Sequence, residues 1–349
     1  MESEDVGGTQ VSSDRPLDSA RGRDKGLPRR VLGSEAAPGL FVDEVKLTLL
    51  DHQSLDWGRI HRAVYLLHQH LRYQYPAPIS NLRHRLMIVP PESYGDQQRV
   101  AYHVEVSDVP AFSTTRRDRF GNHLIEVRAR KVAHAIDFES WVLVRRAGAQ
   151  PHRLPSRALS DPRFLDPRPL THPDSILLAT ARKLAADGAT GVQLARRIND
   201  WVYAAMRYTP GTTDVSTSAG EALKLGRGVC QDYAHIMLAL CRLCGLPARY
   251  VSGHLLGEGG PHAWVEVLVP GPDSPREAVA LPLDPTHGRE ADLNYLTIAV
   301  GRDYADVTPT SGTFLGSSPG RLLARKRLGL ATAELAAEMA TGGEGTISA

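Results

Sequence analysis

Three residues in the C-terminal half of the chain are of the types that cysteine-dependent catalysis needs, and Cys230 is the first of them. It follows the segment Gly226-Arg-Gly228 and lies at the predicted first turn of a helix. The unpaired amides and the positive dipole end of such a turn stabilise a thiolate and can donate to an oxyanion. A buried, inert cysteine is the alternative, but upstream glycines let backbone and substrate approach closely.

His262 and Asp284 complete the set. His262 opens the strand-like run HAWVEV after the glycine-rich stretch 257–261, and Asp284 ends the run AVALPL. Taken singly, each has an ordinary interpretation, as a surface or core histidine and as an Asx-turn carboxylate. Adjacent antiparallel strands place the first residue of one strand beside the last residue of the next. Together the residues have the order nucleophile, base and orienting carboxylate, in which the carboxylate holds the far ring nitrogen.

The elements that must position these residues form an α+β unit. An apolar stripe predicts a buried helix over 229–244, with Gly245 as its C-cap. Three strand-like runs follow at 248–255, 262–269 and 278–283, so the helix feeds consecutive strands of an antiparallel sheet. Upstream, helical periodicity covers 177–184 and 194–202, and Ser218 with Glu221 has the form of a capping box before a helix that Gly226 ends.

The rest of the chain divides by composition. Residues 1–40 have no aromatic residue and many charges, so we expect a disordered extension. Residues 41–150 contain short alternating runs typical of an N-terminal antiparallel β-sandwich. A linker rich in Pro and Arg is expected at 151–173, a catalytic core at 174–316 and a tail with a short helical pattern at 317–349.

Composition argues against several classes of protein, among them nucleic-acid-binding, membrane-spanning and disulfide-rich secreted proteins. The 349 residues are 42% hydrophobic and 23% charged, and 41 Lys+Arg against 39 Asp+Glu give a formal charge of +2. So small an excess requires neither a nucleic acid nor a membrane as partner. No apolar run has the length of a membrane span or the character of a signal peptide, and three cysteines are too few for a disulfide scaffold. We therefore expect a cytoplasmic protein; its oligomeric state stays open.

The motifs together closely resemble the bacterial branch of the transglutaminase-like superfamily. The resemblance rests on GRGVCQDYAHIMLALCRLCGLPARYVSGHL, HAWVEVLVPG, LDPTHG and VGRDYADV, and LRYQYPAPISNLRHRLMIVPP is similar to the start of that branch's N-terminal β domain. It covers about residues 61–316 and implies a papain-like fold with a catalytic triad of Cys230, His262 and Asp284. The glycine and tryptophan that similar proteins carry before the Asp motif are absent from PREAVALPLDPT.

The resemblance implies acyl transfer on amide or peptide bonds through a thioester. Hydrolysis of a peptide or protein is favoured over cross-linking, because nothing in the sequence builds an amine site and water is always available. Glutamine cross-linking and a non-catalytic binding module are the alternatives.

Further residues are candidates for the substrate or oxyanion site, with packing as the alternative role: Tyr208, Gly228, Gln231 and Trp264. His287 is a rival base and His254 a weaker one. We expect no organic cofactor and no metal, since Cys241 and Cys244 lie in an apolar helix without a second pair.

Overall fold

The computed structural model describes residues 30–35, 49–107, 109–148 and 151–335, together with the backbone of 346–348. The disordered extension expected at residues 1–40 therefore lies outside the described residues, apart from residues 30–35. Those six residues form strand β1, which pairs with a neighbouring strand along Arg30 to Glu35. For this segment the prediction of disorder is wrong, because its backbone is satisfied by a partner strand far along the chain.

The N-terminal half is built from antiparallel strands, as its alternating sequence predicts. Strand β2 shows the pattern most clearly, because Leu67, Leu71 and Tyr73 are buried while the intervening His68, His70 and Arg72 are more exposed. The first eight strands are β1 Arg30–Glu35, β2 Ile60–Gln74, β3 Ile79–Leu86, β4 Ser93–Tyr94, β5 Gln97–Ser107, β6 Ala111–Arg117, β7 His123–Val132 and β8 Ala135–Ala147.

The core that follows is one long buried helix against an antiparallel sheet. Its helices are α1 Pro162–Leu165, α2 Ser175–Leu184, α3 Gly191–Ala205, α4 Ala219–Leu225 and α5 Cys230–Leu243. Its strands are β9 Arg153–Pro155, β10 Arg207–Tyr208, β11 Arg227–Gly228, β12 Ala248–Leu255, β13 His262–Pro270, β14 Glu277–Asp284, β15 Arg289–Glu290 and β16 Tyr295–Gly301. The sheet order is β15-β14-β13-β12-β16, with β9 on β14.

Capping residues and apolar periodicity in the sequence predicted these helices and strands of the core correctly. Ser218 and Glu221 form the predicted capping box of α4, and Gly226 ends that helix in the left-handed conformation at φ +61°. Helix α5 packs on β13 through the buried side chains Ala263 and Val265. The sequence therefore predicted both the helix that carries Cys230 and the strands that carry His262 and Asp284.

The segment 151–173 is part of the core rather than a linker. Strand β9 extends the sheet, and Phe164 of α1 packs with the buried Leu268 and Ala280. The guanidinium of Arg242, buried at the end of α5, donates to the carbonyl of Phe164 at 3.3 Å and to Thr171 Oγ1 at 2.7 Å. Proline-rich composition predicted the irregular backbone but not its burial, which follows from these long-range contacts.

The C-terminal segment returns to the N-terminal domain and is not a tail. Strand β17 Thr310–Leu315 pairs with β3, and β18 Arg321–Leu335 runs along β2 over its whole length; β19 Thr346–Ser348 pairs with β18. The helical pattern predicted here is wrong, because pairing with β2 overrides the helix propensity of its Leu, Ala and Arg residues. One sheet then has the order β1-β5-β8-β2-β18-β19, with β4 on β5, and the second has the order β17-β3-β7-β6. Side chains of both sheets enclose one apolar core, so the N-terminal domain is a β-sandwich.

The β-sandwich is fastened to the face of the core sheet opposite α5. Tyr94 from β4 packs with Trp264, and its hydroxyl donates to Glu266 at 2.5 Å. Arg249 completes this buried group, donating to Glu266 at 2.7 Å and to the Tyr94 hydroxyl at 2.6 Å. The sheet is thus held from both sides. Across residues 30–35, 49–107, 109–148 and 151–335, no helix combines the length and apolar character that a membrane crossing requires.

Candidate active site

Cys230 is the first residue of α5, as predicted. The preceding Val229 N–H donates to Asp232 Oδ2 at 2.7 Å, and the Thr213 hydroxyl donates to the same oxygen at 2.7 Å. Burial raises the pKa of Asp232 although these hydrogen bonds oppose the shift. The carboxylate therefore fastens the start of the helix, and Cys230 is left half-buried at its open end.

Gly228 and Gln231 shape the wall beside the thiol. A Cβ on Gly228 would lie 2.4 Å from Asp232 Oδ2, so only glycine leaves room for the capping carboxylate. The Gln231 side chain donates to the carbonyl of Val215 at 3.2 Å, which holds the preceding loop against the helix. Backbone amides of the first helical turn have no intrahelical acceptor, so the amides of Cys230 and Gln231 are the groups able to receive an oxyanion.

His262 and Asp284 meet at neighbouring strand ends. His262 Nε2 donates to Asp284 Oδ2 at 2.8 Å, and both side chains are almost fully buried. Burial opposes the charge of His262, but the bond to Asp284 and a hydrogen bond with Cys230 together raise the pKa of its imidazole. Because Nε2 is engaged by Asp284, Nδ1 is the ring nitrogen that serves the thiol. The structure therefore brings all three predicted residues together.

Asp284 accepts four hydrogen bonds, and those from His287 and Tyr295 could not be expected from local sequence patterns. Its Oδ2 accepts from His262, from His287 Nδ1 at 2.7 Å and from the Tyr295 hydroxyl at 2.6 Å; its Oδ1 accepts from the Thr286 N–H at 2.8 Å. Burial opposes ionisation, yet the donors hold the pKa of Asp284 well below its ordinary value. A carboxylate can only accept, so His262 Nε2 and His287 Nδ1 both carry a proton. The Asx-turn and the hydrogen bond with His262 thus coexist.

His287 and Glu258 form a second layer around the pair. Glu258 Oε2 lies 3.4 Å from His262 Nδ1, and Glu258 Oε1 lies 3.4 Å from His287 Nε2. Hydrogen bonds to Asp284 and Glu258 raise the pKa of His287 to about 9. His287, the rival base, is therefore a cation tied between two carboxylates. Glu258 was missed because a turn residue has no periodicity; its position four residues before His262 was the only available signal.

The turn that carries Glu258 is held by the β-sandwich. Lys326 of β18 donates to the carbonyl of Gly260 and lies 3.1 Å from His254 Nδ1. Burial lowers the pKa of Lys326 to about 8, and burial together with Lys326 holds the pKa of His254 well below its ordinary value. His254 is thus a neutral partner of Lys326, and the N-terminal domain contributes directly to the order of the site.

Tyr208 and Trp264 occupy different surroundings. Tyr208 is 54% exposed and lies opposite Gly228 in the short β10–β11 pairing. Burial and the charge of Cys230 raise the pKa of Tyr208 to about 12. Trp264 is 1% exposed and packs edge-on against Tyr295 at 5.3 Å between ring centroids. It therefore supports the hydrogen-bonded pair from behind, in the packing role that was the alternative to a cleft wall.

One group of side chains in the described part of the chain has the composition of a metal site. His262, Asp284 and His287 each place a ligand atom within 4.8 Å of the others. Two of these atom pairs, however, are 2.7–2.8 Å apart, whereas tetrahedral ligands at Zn²⁺ distances are separated by about 3.4 Å. The distances are those of hydrogen bonds. Cys241 is fully buried in the core, where burial raises the pKa of its thiol above the ordinary range.

Two stretches of the chain match known families. Residues 178–274 match the family model of the transglutaminase-like superfamily, and residues 65–145 match the bacterial transglutaminase-like N-terminal region. The chain therefore contains a transglutaminase-like core and a bacterial transglutaminase-like N-terminal region. Cys230 and His262 lie within the matched core residues, and Asp284 follows their end. The two matches correspond to the helix-bearing core and to the β-sandwich.

Relatives and a solved structure are also similar to this chain. An uncharacterized protein of Mycobacterium leprae is 40% identical over 126 residues, which are 33% of this chain and 42% of the relative. An uncharacterized protein of Mycobacterium tuberculosis is 28% identical over 297 residues, covering 77% of this chain and 93% of the relative. A structure from Cytophaga hutchinsonii described as a "putative cysteine protease" has a TM-score of 0.60 at 21% identity, covering 76% of this chain and 91% of that one. This last likeness supports the fold of a transglutaminase-like core behind a β domain.

Proposed function

We propose that the protein is a cysteine acyltransferase that hydrolyses amide or peptide bonds, with Cys230, His262 and Asp284 as its catalytic triad. The observation that carries the proposal is the buried hydrogen bond between the His262 ring and the Asp284 carboxylate, with Cys230 beside that ring at the start of α5. A cysteine whose only task is packing needs no imidazole held in one orientation by a carboxylate that accepts four hydrogen bonds.

The first half of the reaction forms a thioester. The Cys230 thiolate attacks the carbonyl carbon of the amide, and the oxygen takes the negative charge beside the free amides of the α5 first turn. His262 Nδ1 then gives its proton to the amide nitrogen as the C–N bond breaks. The amine leaves, and the acyl group stays on sulfur. Asp284 keeps the Nε2 proton in place throughout, so the ring always presents Nδ1 to the reacting atoms.

The second half releases the acyl group. His262 Nδ1, now neutral, takes a proton from water, and the oxygen of that water attacks the thioester carbon. Collapse of the intermediate expels the Cys230 thiolate, frees a carboxylic acid and leaves His262 protonated, so the starting state is restored. A primary amine in place of water gives cross-linking by the same steps, and the proportion of the two products is a measurable property of the enzyme.

Trapping the thioester tests this proposal. The full-length protein is incubated with a peptide library derived from a bacterial proteome, and acid-quenched samples are examined by mass spectrometry for acyl groups on Cys230 and for new peptide ends. We expect both in the parent protein and neither in Cys230→Ala, while Cys244→Ala serves as the matched control and retains both. Peptide cleavage that persists in Cys230→Ala would overturn the assignment. Products carrying an added amine, with no free acids, would favour cross-linking instead.

We also propose that the protein works in a reducing compartment such as the cytoplasm. All three cysteines are free, and the nucleophile must stay a thiol to react. Cell fractionation with antibody detection would test the location, and recovery of the chain in an oxidising compartment would contradict it.

A further inference from the structure

Glu258 is the charged residue whose position the triad does not explain. Its side chain is 39% exposed, whereas those of His262 and Asp284 are at most 2% exposed. The carboxylate nevertheless reaches inward, with one oxygen facing each histidine at 3.4 Å. It therefore connects the buried reacting groups with the opening through which a substrate enters.

The turn presents this carboxylate from a fixed position. Gly257 has φ +90°, and a Cβ there would lie 2.9 Å from His52 Nε2 of the N-terminal domain. On the other side of Glu258, Lys326 donates to the carbonyl of Gly260. Contacts with the β-sandwich thus bracket Glu258, and its side chain is held over the site instead of sampling the surface.

Glu258 lies where the leaving amine of the substrate is protonated. His262 Nδ1 must hand its proton to the leaving nitrogen, and Glu258 Oε2 is 3.4 Å from that ring atom. Every departing amine therefore passes beside the carboxylate, while the acyl half lies across the thiol, toward the first turn of α5. A charge at this place acts on the group attached to the leaving nitrogen.

Counting the charges of the cluster shows what Glu258 contributes to this action. Cys230 as thiolate, Glu258 and Asp284 contribute three negative charges, and His262, His287 and Lys326 contribute three positive charges, since the charge of Lys326 interacts with that of Glu258. After acylation the thiolate and the His262 proton are both gone, and Asp284 and Glu258 face His287 and Lys326. The cluster is neutral at both stages only because Glu258 is ionised, so its replacement by glutamine leaves a net positive charge that repels a cationic amine half.

We infer that Glu258 is a specificity-determining residue that selects amides whose amine half carries a positive charge close to the scissile bond. In a peptide this corresponds to Lys or Arg directly after the cleaved bond. In a small amide it corresponds to a diamine released as the leaving group. The inference rests on the proposed function and names the substrate class of the same site.

Charged thiol reagents measure the electrostatic field at Cys230, and they do so without requiring that the substrate be known. Aminoethyl, methyl and sulfonatoethyl methanethiosulfonate are cationic, neutral and anionic probes, and mass spectrometry of the Cys230 peptide gives the rate of each. We expect the cationic probe to react faster than the anionic one, and Glu258→Gln to lower their rate ratio about tenfold. Glu92→Gln, the same change at an exposed residue of the β-sandwich, should leave the ratio unchanged. Glu258→Asp should recover most of it.

Cleavage of the peptide library provides a second test, which identifies the residues that follow the scissile bond. We expect cleavage sites of the parent protein to be enriched in Lys or Arg after the scissile bond, and Glu258→Gln to lose this enrichment while still cleaving. An unchanged probe ratio in Glu258→Gln, or cleavage sites without a basic preference, would overturn the inference. If Cys230 still reacts fast with the neutral probe and the protein still cleaves peptides, the inference about Glu258 has failed and the proposed function stands. If Cys230 is unreactive and no peptide is cleaved, the proposed function itself has failed.

Discussion

Replacing Asp284 with asparagine tests how the site controls the His262 ring. Asp284 Oδ2 accepts from three donors and Oδ1 from a fourth, whereas an asparagine has one accepting oxygen and an amide group that only donates. If the amide nitrogen takes the Oδ2 position, it faces His262 and His287; if it takes the Oδ1 position, it faces the Thr286 N–H. Each arrangement leaves at least one buried donor facing another donor, at a cost of about 1–3 kcal/mol.

The first arrangement also changes which nitrogen of the His262 ring carries the proton. A donating amide opposite Nε2 favours the tautomer in which Nε2 accepts and Nδ1 carries the proton, and such a ring cannot take a proton from the thiol. Loss of the correct tautomer in a triad of this kind lowers turnover about 10³- to 10⁴-fold. We therefore expect Asp284→Asn to remain folded with a lowered urea midpoint and to lose at least about a thousandfold in turnover.

The assay is the initial rate of cleavage of a peptide that the parent protein hydrolyses, with urea unfolding measured in parallel. Asp273→Asn is the matched control, because Asp273 is 69% exposed and paired only with Arg153 in the contacts described. Its rate and urea midpoint should both match those of the parent protein. An Asp284→Asn protein that keeps more than about a tenth of the parent rate would refute the orienting role.

Three further predictions follow from single contacts. Gly228→Ala places a Cβ 2.4 Å from Asp232 Oδ2, so we expect a loss of about 1–2 kcal/mol in unfolding free energy and slower alkylation of Cys230, whereas Gly259→Ala, whose Cβ meets nothing within 4 Å, should behave as the parent in both assays. Cys241→Ala removes a fully buried side chain and should lower stability by about 1–3 kcal/mol with Cys230 alkylation unchanged; a stability equal to the parent's would contradict its packing role. Deletion of residues 317–349 removes the strand paired along all of β2, so we expect an insoluble or partly unfolded product by circular dichroism, and a fully folded, active truncation would show that this segment is a dispensable tail after all.

The sequence predicted those parts of the site that local patterns encode. The helix over Cys230–Leu243 follows from its apolar stripe and its C-terminal glycine, and the alternation in HAWVEV placed His262 at the start of a strand. Antiparallel adjacency then brought Asp284 to His262, because the end of one strand and the start of the next share an edge. These rules depend only on residues close together in the sequence, and the structure has the helix and strands that they predicted.

Contacts between distant segments were not predictable in the same way. Lys326 reaches the Glu258 turn only because β18 pairs with β2, a partnership separated by about 250 residues that no local pattern specifies. Tyr295 donates to Asp284 from the first residue of a strand whose sequence gave no hint of a polar task. The physical reason is the same in both cases: the positions of these side chains depend on sheet order, and local periodicity does not determine sheet order.

In the proposed reaction Cys230 and His262 act as one unit, and the rate at which iodoacetamide alkylates Cys230 near pH 6 measures that coupling. The His262 ring lies beside the Cys230 thiol and can take its proton, so loss of this ring should slow the attack of the sulfur on iodoacetamide. The parent protein should therefore alkylate at Cys230 at least about tenfold faster than His262→Ala at this pH, where ordinary thiols are protonated. The difference should shrink near pH 10, where any accessible thiol is ionised. Equal rates for the parent protein and His262→Ala across the whole pH range would mean that Cys230 is a structural cysteine and not a nucleophile activated by His262.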